Sequence, residues 1–193
     1  MGKPLSEMTL EELWQLFPIM LKAPDSCWRQ WYAEELKLLR PLLPPGTRIS
    51  HIGSTAIEGI WAKPIVDILA EVPAGADLAA AGEKLPQGGY RCMSQSDARL
   101  SYNKGYTENG FAERVFHLHL RRFGDNDELY FRDHLNEHPQ AAKEYEQLKL
   151  SLWKQYEHDR DGYTAAKAAF VTQCTGAAKQ RYGLRYEPAP MQK

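Results

Sequence analysis

The sequence predicts an α/β (α+β) protein: a small mixed β-sheet with flanking helices and a helical C-terminal third. Three observations carry the prediction. Residues 64–72 form a nearly unbroken apolar run with an acid, Asp67, in its middle, the pattern of a buried strand. Residues 114–121 alternate with period two, so a strand there has two unlike faces. From Asp127 onward the pattern is helical nearly to the end of the chain.

Each element has its own local reason. Thr9-Leu10-Glu11-Glu12 has capping-box spacing, which starts a helix carrying Leu10, Leu13, Trp14 and Phe17 on one face and stopping at Pro18. Asp25 or Ser26 caps a second helix, with Trp28, Trp31, Tyr32, Leu36 and Leu39 as its apolar stripe. Pro44-Pro45-Gly46 is a breaker, and residues 48–52 begin the first strand. Gly53-Ser54-Thr55 is a small-residue turn, leading through a short helix or loop to the strand at 64–72. Residues 73–85, rich in Ala and Leu between turn residues, read as a surface helix. Short strands are expected at 90–93 and 99–102, followed by a Gly-punctuated loop over 103–110 and the alternating strand. Gly124-Asp125-Asn126-Asp127 ends that strand and opens a helix. Pro139 breaks the helical stretch once, Asp159-Arg160-Asp161-Gly162 breaks it again, and a last helix runs over 163–182 to Gly183. The tail at 187–190 is expected to be loose.

At 193 residues the chain suits one compact unit, with sheet and N-terminal helices over 1–124 and a helical region over 125–193 packed on it. The formal net charge of −1 lacks the basic excess of a protein that grips long nucleic acid, so a small ligand is expected. Cys27, Cys92 and Cys174 are scattered, against a disulfide framework or a structural zinc site. No apolar run is long enough to cross a membrane and residues 1–12 lack a signal-peptide profile, so a cytoplasmic protein is expected. Met1-Gly2-Lys3-Pro4-Leu5-Ser6 matches the permissive myristoylation pattern without a second membrane signal and is taken as chance.

The chemistry-bearing residues gather around two stretches. An ionised Asp67 inside a buried strand is costly unless a cation or donors satisfy it, so it is either a metal ligand or an acid held by backbone or arginine donors. The Gly53-Ser54-Thr55 turn is either a phosphate nest or a plain helix cap. His117 and His119 are two apart on a strand and share a face, as a metal- or phosphate-binding pair or as two polar residues on a wet surface. Lys104 and Tyr106 sit in the expected loop, to meet a nucleotide or to form a solvated hairpin tip. Arg160, Tyr163 and Lys167 share a helical face if the last helix begins that early.

His51-Ile52-Gly53-Ser54-Thr55, followed by Ala62-Lys63-Pro64-Ile65-Val66-Asp67-Ile68, resembles the signature of the GrpB family of the nucleotidyltransferase superfamily. The likeness extends through Asn103-Lys104-Gly105-Tyr106, Val115-Phe116-His117-Leu118-His119, Phe131-Arg132-Asp133 and Tyr163-Thr164-Ala165-Ala166-Lys167. It implies a nucleotidyltransferase-like mixed sheet. It also implies a site that holds a nucleotide or phosphorylated small molecule with a divalent metal, Mg2+ or Mn2+, and transfers a nucleotidyl group to a small acceptor. Members also occur fused to dephospho-coenzyme A kinase, but this chain has no kinase P-loop. In the superfamily a Gly-Ser turn precedes two acids spaced one apart, and a later strand brings a third. Gly53 and Ser54 match the turn and Asp67 the first acid. Leu69 stands at the second, with Glu71 one pleat further, and His117 and His119 lie on the strand expected to bring the third. An Asp67–His117–His119 site would suit one metal, manganese or zinc rather than magnesium. The resemblance assigns phosphate or nucleotide binding to Gly53, Ser54, Thr55, Lys63, Lys104, Tyr106, Tyr163 and Lys167, and helical spacing adds Arg160 to them. A catalytically inactive nucleotide-binding or regulatory module, or a metal-dependent phosphohydrolase built on the histidines, are the alternatives.

Overall fold

The computed structural model describes residues 3–187. Its organising strand is β2 (Ile65–Val72), whose residues are all buried save Asp67. β1 (Arg48–Ile52), β2, β3 (Arg91–Gln95), β4 (Arg99–Thr107) and β5 (Gly110–Arg122) form one sheet in the order β1-β2-β5-β4-β3. β2 and β5 run parallel at its centre, and the other neighbours are antiparallel. A central parallel pair needs cover on both faces, which explains why β2 is apolar apart from Asp67 and Glu71.

Strand periodicity sorts the two faces. Val66, Ile68, Ala70 and Val72 of β2 join Phe116, Leu118 and Leu120 of β5 in the main core. Trp28 and Leu39 of α2 (Cys27–Leu39) and Leu78 and Ala81 of α3 (Leu78–Gly82) close that face. Burial of a Leu- or Phe-sized side chain contributes about 1.5–3 kcal/mol, so this face is the main source of stability. The opposite face lies under α4 (Asp127–Glu137), α5 (Pro139–Trp153) and α6 (Arg160–Tyr182). There Leu129 of α4 packs on Ile52 and Leu69, and Phe131, Leu135, Tyr145 and Cys174 cluster with Ile57 and Ile60. The mixed sheet, flanking helices and helical C-terminal third are as expected.

The expected caps form. Thr9 and Glu12 close a capping box at the start of α1 (Leu10–Leu16), and the Cys27 N–H donates to Asp25 Oδ1 at 2.9 Å ahead of α2. Three expectations need correction. Residues 73–85 hold only the five-residue α3 and a 3₁₀ turn at Leu85–Gly88, and Leu78, Ala81 and Leu85 are core rather than surface. The expected loop over 103–110 is mostly strand. β4 continues to Thr107, which pairs with Gly110 across a two-residue hairpin turn. Gly105, at φ 91°, makes a bulge between Lys104 and Tyr106 instead of a loop, because a Cβ there would strike the Arg114 carbonyl. Finally, the second break falls earlier than expected, between Trp153 and Arg160, and Asp159-Arg160-Asp161-Gly162 starts α6: Asp159 Oδ1 accepts from the Gly162 N–H at 2.8 Å. The expectations at Met1-Gly2 and at the tail's 188–190 lie outside the described residues. No helix among the described residues is long and apolar enough to cross a membrane.

Candidate functional site

The register of β2 and β5 builds the centre of the site. Asp67 and His117 are direct partners across the parallel pair, so their side chains leave the same face of the sheet. His117 Nδ1 lies 3.0 Å from Asp67 Oδ1, and His117 Nε2 lies 2.7 Å from the Tyr106 hydroxyl. The Gly105 bulge makes the second contact possible, since it turns Tyr106 onto the histidine face. Burial pushes the Tyr106 phenol up to about 12, so it stays protonated beside Nε2. The ionised Asp67 carboxylate only accepts, so His117 Nδ1 carries a proton and donates to it. Burial opposes ionisation of Asp67, but the hydrogen bond from His117 and the charges of His117, His119 and Lys63 outweigh it and hold the carboxyl below its usual range. His119 is two residues along on the same face, and burial lowers its pKa against the pull of Asp67.

The turn after β1 fits tightly against this pair. Gly53 sits at φ 70°, ψ −173°, and a Cβ there would come within 2.9 Å of Asp67 Cβ and strike its carboxylate. Only glycine combines that backbone with that approach.

α5, α6 and the loop before β2 bring the cations. Lys63, Lys149, Arg160 and Lys167 line one cleft of about 270 Å³ together with Gly53, Ser54, Asp67, His117, His119, Tyr145 and Tyr163. Burial, then the neighbouring Arg160 charge, bring Lys63 down to about 8. Burial, then Lys63, bring Lys167 to about 7, and burial, then Lys167, bring Lys149 to about 7. The Lys167 and Lys63 ammonium groups lie 4.0 and 5.4 Å from the Tyr163 ring centre. The Tyr163 hydroxyl is buried without a hydrogen-bond partner. Among the described residues, Lys63, Arg160 and Lys167 have no carboxylate within ion-pair distance. Lys149 is a residue that sequence reasoning missed. It donates to the Trp61 carbonyl while Glu146 accepts from the Trp61 N–H at 2.7 Å, so α5 holds the loop before β2 at both its polar groups. The missed signal was there: Ala142, Tyr145, Glu146 and Lys149 make a buried stripe at helical spacing with two charges in it.

Two expected ligand-binding residues lie elsewhere. Thr55 is buried, and its hydroxyl donates to the Ile65 carbonyl at 3.1 Å while His51 Nε2 donates to it at 3.0 Å, so it ties the turn to β2 and offers a ligand nothing. Lys104 precedes the bulge and therefore faces the α2 side, where its ammonium pairs with Glu35 at 2.7 and 3.0 Å. Tyr106 lies on β4 rather than on a loop tip. With Trp14, Phe17 and Phe111 it lines a second groove of about 420 Å³, and Lys63, Ile65 and Arg160 line both this groove and the cationic cleft.

The expected metal set fits poorly. Among the described residues no group of three His, Cys, Asp or Glu side chains is placed to hold a metal ion. His117 uses both ring nitrogens for Asp67 and Tyr106. Leu69, at the second-acid position, is sealed between Ile52 and Leu129. Glu71 is fully buried and spent on Arg48, at 2.6 and 2.7 Å, and on the Asn126 amide at 2.9 Å. A divalent ion would find Asp67 and His119 as donors and four cationic side chains as neighbours.

A mixed sheet with one carboxylate at its centre, a Gly-Ser turn against it and a helical cap of lysines defines an α/β protein with a cationic cleft. The GrpB protein family profile matches residues 18–177, and the chain belongs to that family. It is 36% identical to a UPF0157 protein of Pseudomonas aeruginosa over 158 residues, which is 80% of this chain and 65% of that relative's length. It is 35% identical to the glutamate-rich protein GrpB of Alkalihalophilus pseudofirmus, over 79% of this chain and 91% of that one. Among solved structures it is similar to the conserved protein GrpB from Enterococcus faecalis, with TM-score 0.73 and 26% identity, over 84% of this chain and 99% of that one. A looser overlap, TM-score 0.49 at 12% identity, is with a Cid1 poly(U) polymerase, over 73% of this chain and 44% of that one.

Proposed function

We propose that the protein binds a nucleotide, or a related phosphorylated small molecule, with the phosphates in the cationic cleft and the base in the adjoining aromatic groove. One observation carries this reading. Lys63, Arg160 and Lys167 converge on a partly enclosed cleft whose single carboxylate, Asp67, lies beyond ion-pair distance of them, an arrangement that costs free energy until an anion enters. The groove supplies the second half of such a ligand's contacts. Phe17 lies 4.7 Å from Tyr106 and 5.0 Å from Phe111 between ring centres, an aromatic surface on which a base can stack. The likeness of the Gly53-Ser54 turn and Asp67 to the nucleotidyltransferase signature supports a nucleotide over other phosphorylated ligands.

Transfer of a nucleotidyl group is the second reading, favoured by Asp67 at the first-acid position. Leu69 and the committed His117 leave it without the acids that such a transfer uses. Calorimetric titration with nucleoside triphosphates tests binding, and pyrophosphate release with candidate acceptors tests transfer. Arg160→Ala is expected to weaken triphosphate binding about tenfold or more, since a charge-assisted hydrogen bond is worth about 1.5–3 kcal/mol. If no triphosphate binds the wild-type protein at millimolar concentration, the reading fails.

A further inference from the structure

Phosphate sites can supply positive charge in two ways, through side-chain cations or through metal ions that carboxylates hold. This cleft has one acid, Asp67, whose carboxylate is pressed against Gly53 on one side and hydrogen-bonded to His117 on the other. The two neighbouring positions where an acid could assist are closed, Leu69 by packing under α4 and Glu71 by its pairing with Arg48. Against that single carboxylate stand four cationic side chains.

We propose that the cleft binds phosphoryl oxygens directly on Lys63, Lys149, Lys167 and Arg160, with no bridging divalent cation. The proposal rests on the phosphorylated-ligand reading above and specifies how the charge is met. The lysines and the arginine take the place that metal ions hold in an acid-lined site. Tyr163 adds a second, independent feature. Its hydroxyl is buried at the cleft wall without a partner, in a residue only 1% exposed, and the Lys63 and Lys167 ammonium groups lie over its ring. A buried hydroxyl left unpaired costs about 1–3 kcal/mol, and the ring that carries it lines the cleft. A divalent ion would face the same cations as repulsive neighbours.

The test uses the full chain and inorganic tripolyphosphate, titrated calorimetrically once in EDTA and once in magnesium. The dissociation constant in EDTA is expected to be within about threefold of the magnesium value, or tighter. Binding seen only with magnesium overturns the proposal and leaves the phosphorylated-ligand reading standing. Absence of tripolyphosphate and ATP binding in both buffers overturns both. Lys167→Met is expected to weaken binding in EDTA about tenfold, and Arg160→Gln, on the exposed first turn of α6, gives the same readout should the lysine variant fail to fold. Unchanged affinity in the folded variants overturns the proposal. Manganese chloride alone is expected to leave the melting temperature where it is, and a clear rise counts against a metal-free site.

Discussion

Gly53 shows how one residue can hold the site together. Its backbone occupies a region that side-chain-bearing residues rarely enter, and its missing Cβ is what lets Asp67 sit beneath the turn. Gly53→Ala would have to shift either the turn or the carboxylate, and the strained conformation costs about 1–3 kcal/mol. Urea denaturation is expected to show that loss, and triphosphate binding is expected to weaken with it because Ser54 and Asp67 move together. A variant with wild-type stability would show that the turn relaxes freely. His117 and His119 were legible as a same-face pair because strand periodicity alone puts them together, while their meeting with Asp67 depends on the β2–β5 register, which periodicity does not give. The fate of Glu71 was not legible, because its partners Arg48 and Asn126 come from elements 23 and 55 positions away. Thr55 and Lys104 show the same limit. Residue type and spacing suggested ligand contacts, but burial under β2 decided the first and the strand's facing decided the second.

At the scale of elements, β4 and α6 show why local patterns misled. A glycine-bounded Asn-Lys-Gly-Tyr stretch has the composition of a loop, but Gly105 serves as a bulge whose extra residue reverses the side-chain alternation. Without it Tyr106 would face α2 and His117 Nε2 would lose its partner. The start of α6 is similar. Asp-Arg-Asp-Gly has turn composition, yet Asp159 caps the helix and brings Arg160 into its first turn, so that Arg160, Tyr163 and Lys167 line the cleft together. Asp159→Ala removes that cap and is expected to cost about 0.5–2 kcal/mol. The consequence for function exceeds the consequence for stability, because fraying of the first turn withdraws Arg160. Triphosphate affinity in Asp159→Ala is therefore expected to fall toward that of Arg160→Ala while the midpoint of unfolding moves only slightly. Equal affinity to wild type would separate the cap from the site.

For the whole molecule, the cleft ties stability to pH with a sign opposite to that of a ligand. Lys63, Lys149 and Lys167 titrate near 8, 7 and 7 when folded, against about 10.4 in an unfolded chain. Well below pH 7 all three are charged in both states and the cost of burying them is present in full. Between about pH 7 and 10 the unfolded chain holds more protons than the folded one, so stability rises with pH across that window. Asp67 works in the acid range, where its lowered pKa contributes stability that is lost only as pH falls through it, and so adds no slope here. A polyphosphate in the cleft holds the lysines protonated, so its affinity is highest where they are charged and falls as pH rises through 7 to 8. At a hundredfold excess over its dissociation constant, such a ligand stabilises by about 2.7 kcal/mol. Scanning calorimetry from pH 6.5 to 9 should then show two opposite trends. The melting temperature of the free protein climbs while the increment from tripolyphosphate shrinks, and Lys149→Met flattens both slopes. A ligand increment that stays constant over this range would mean that the charge meeting the phosphates is not carried by these lysines.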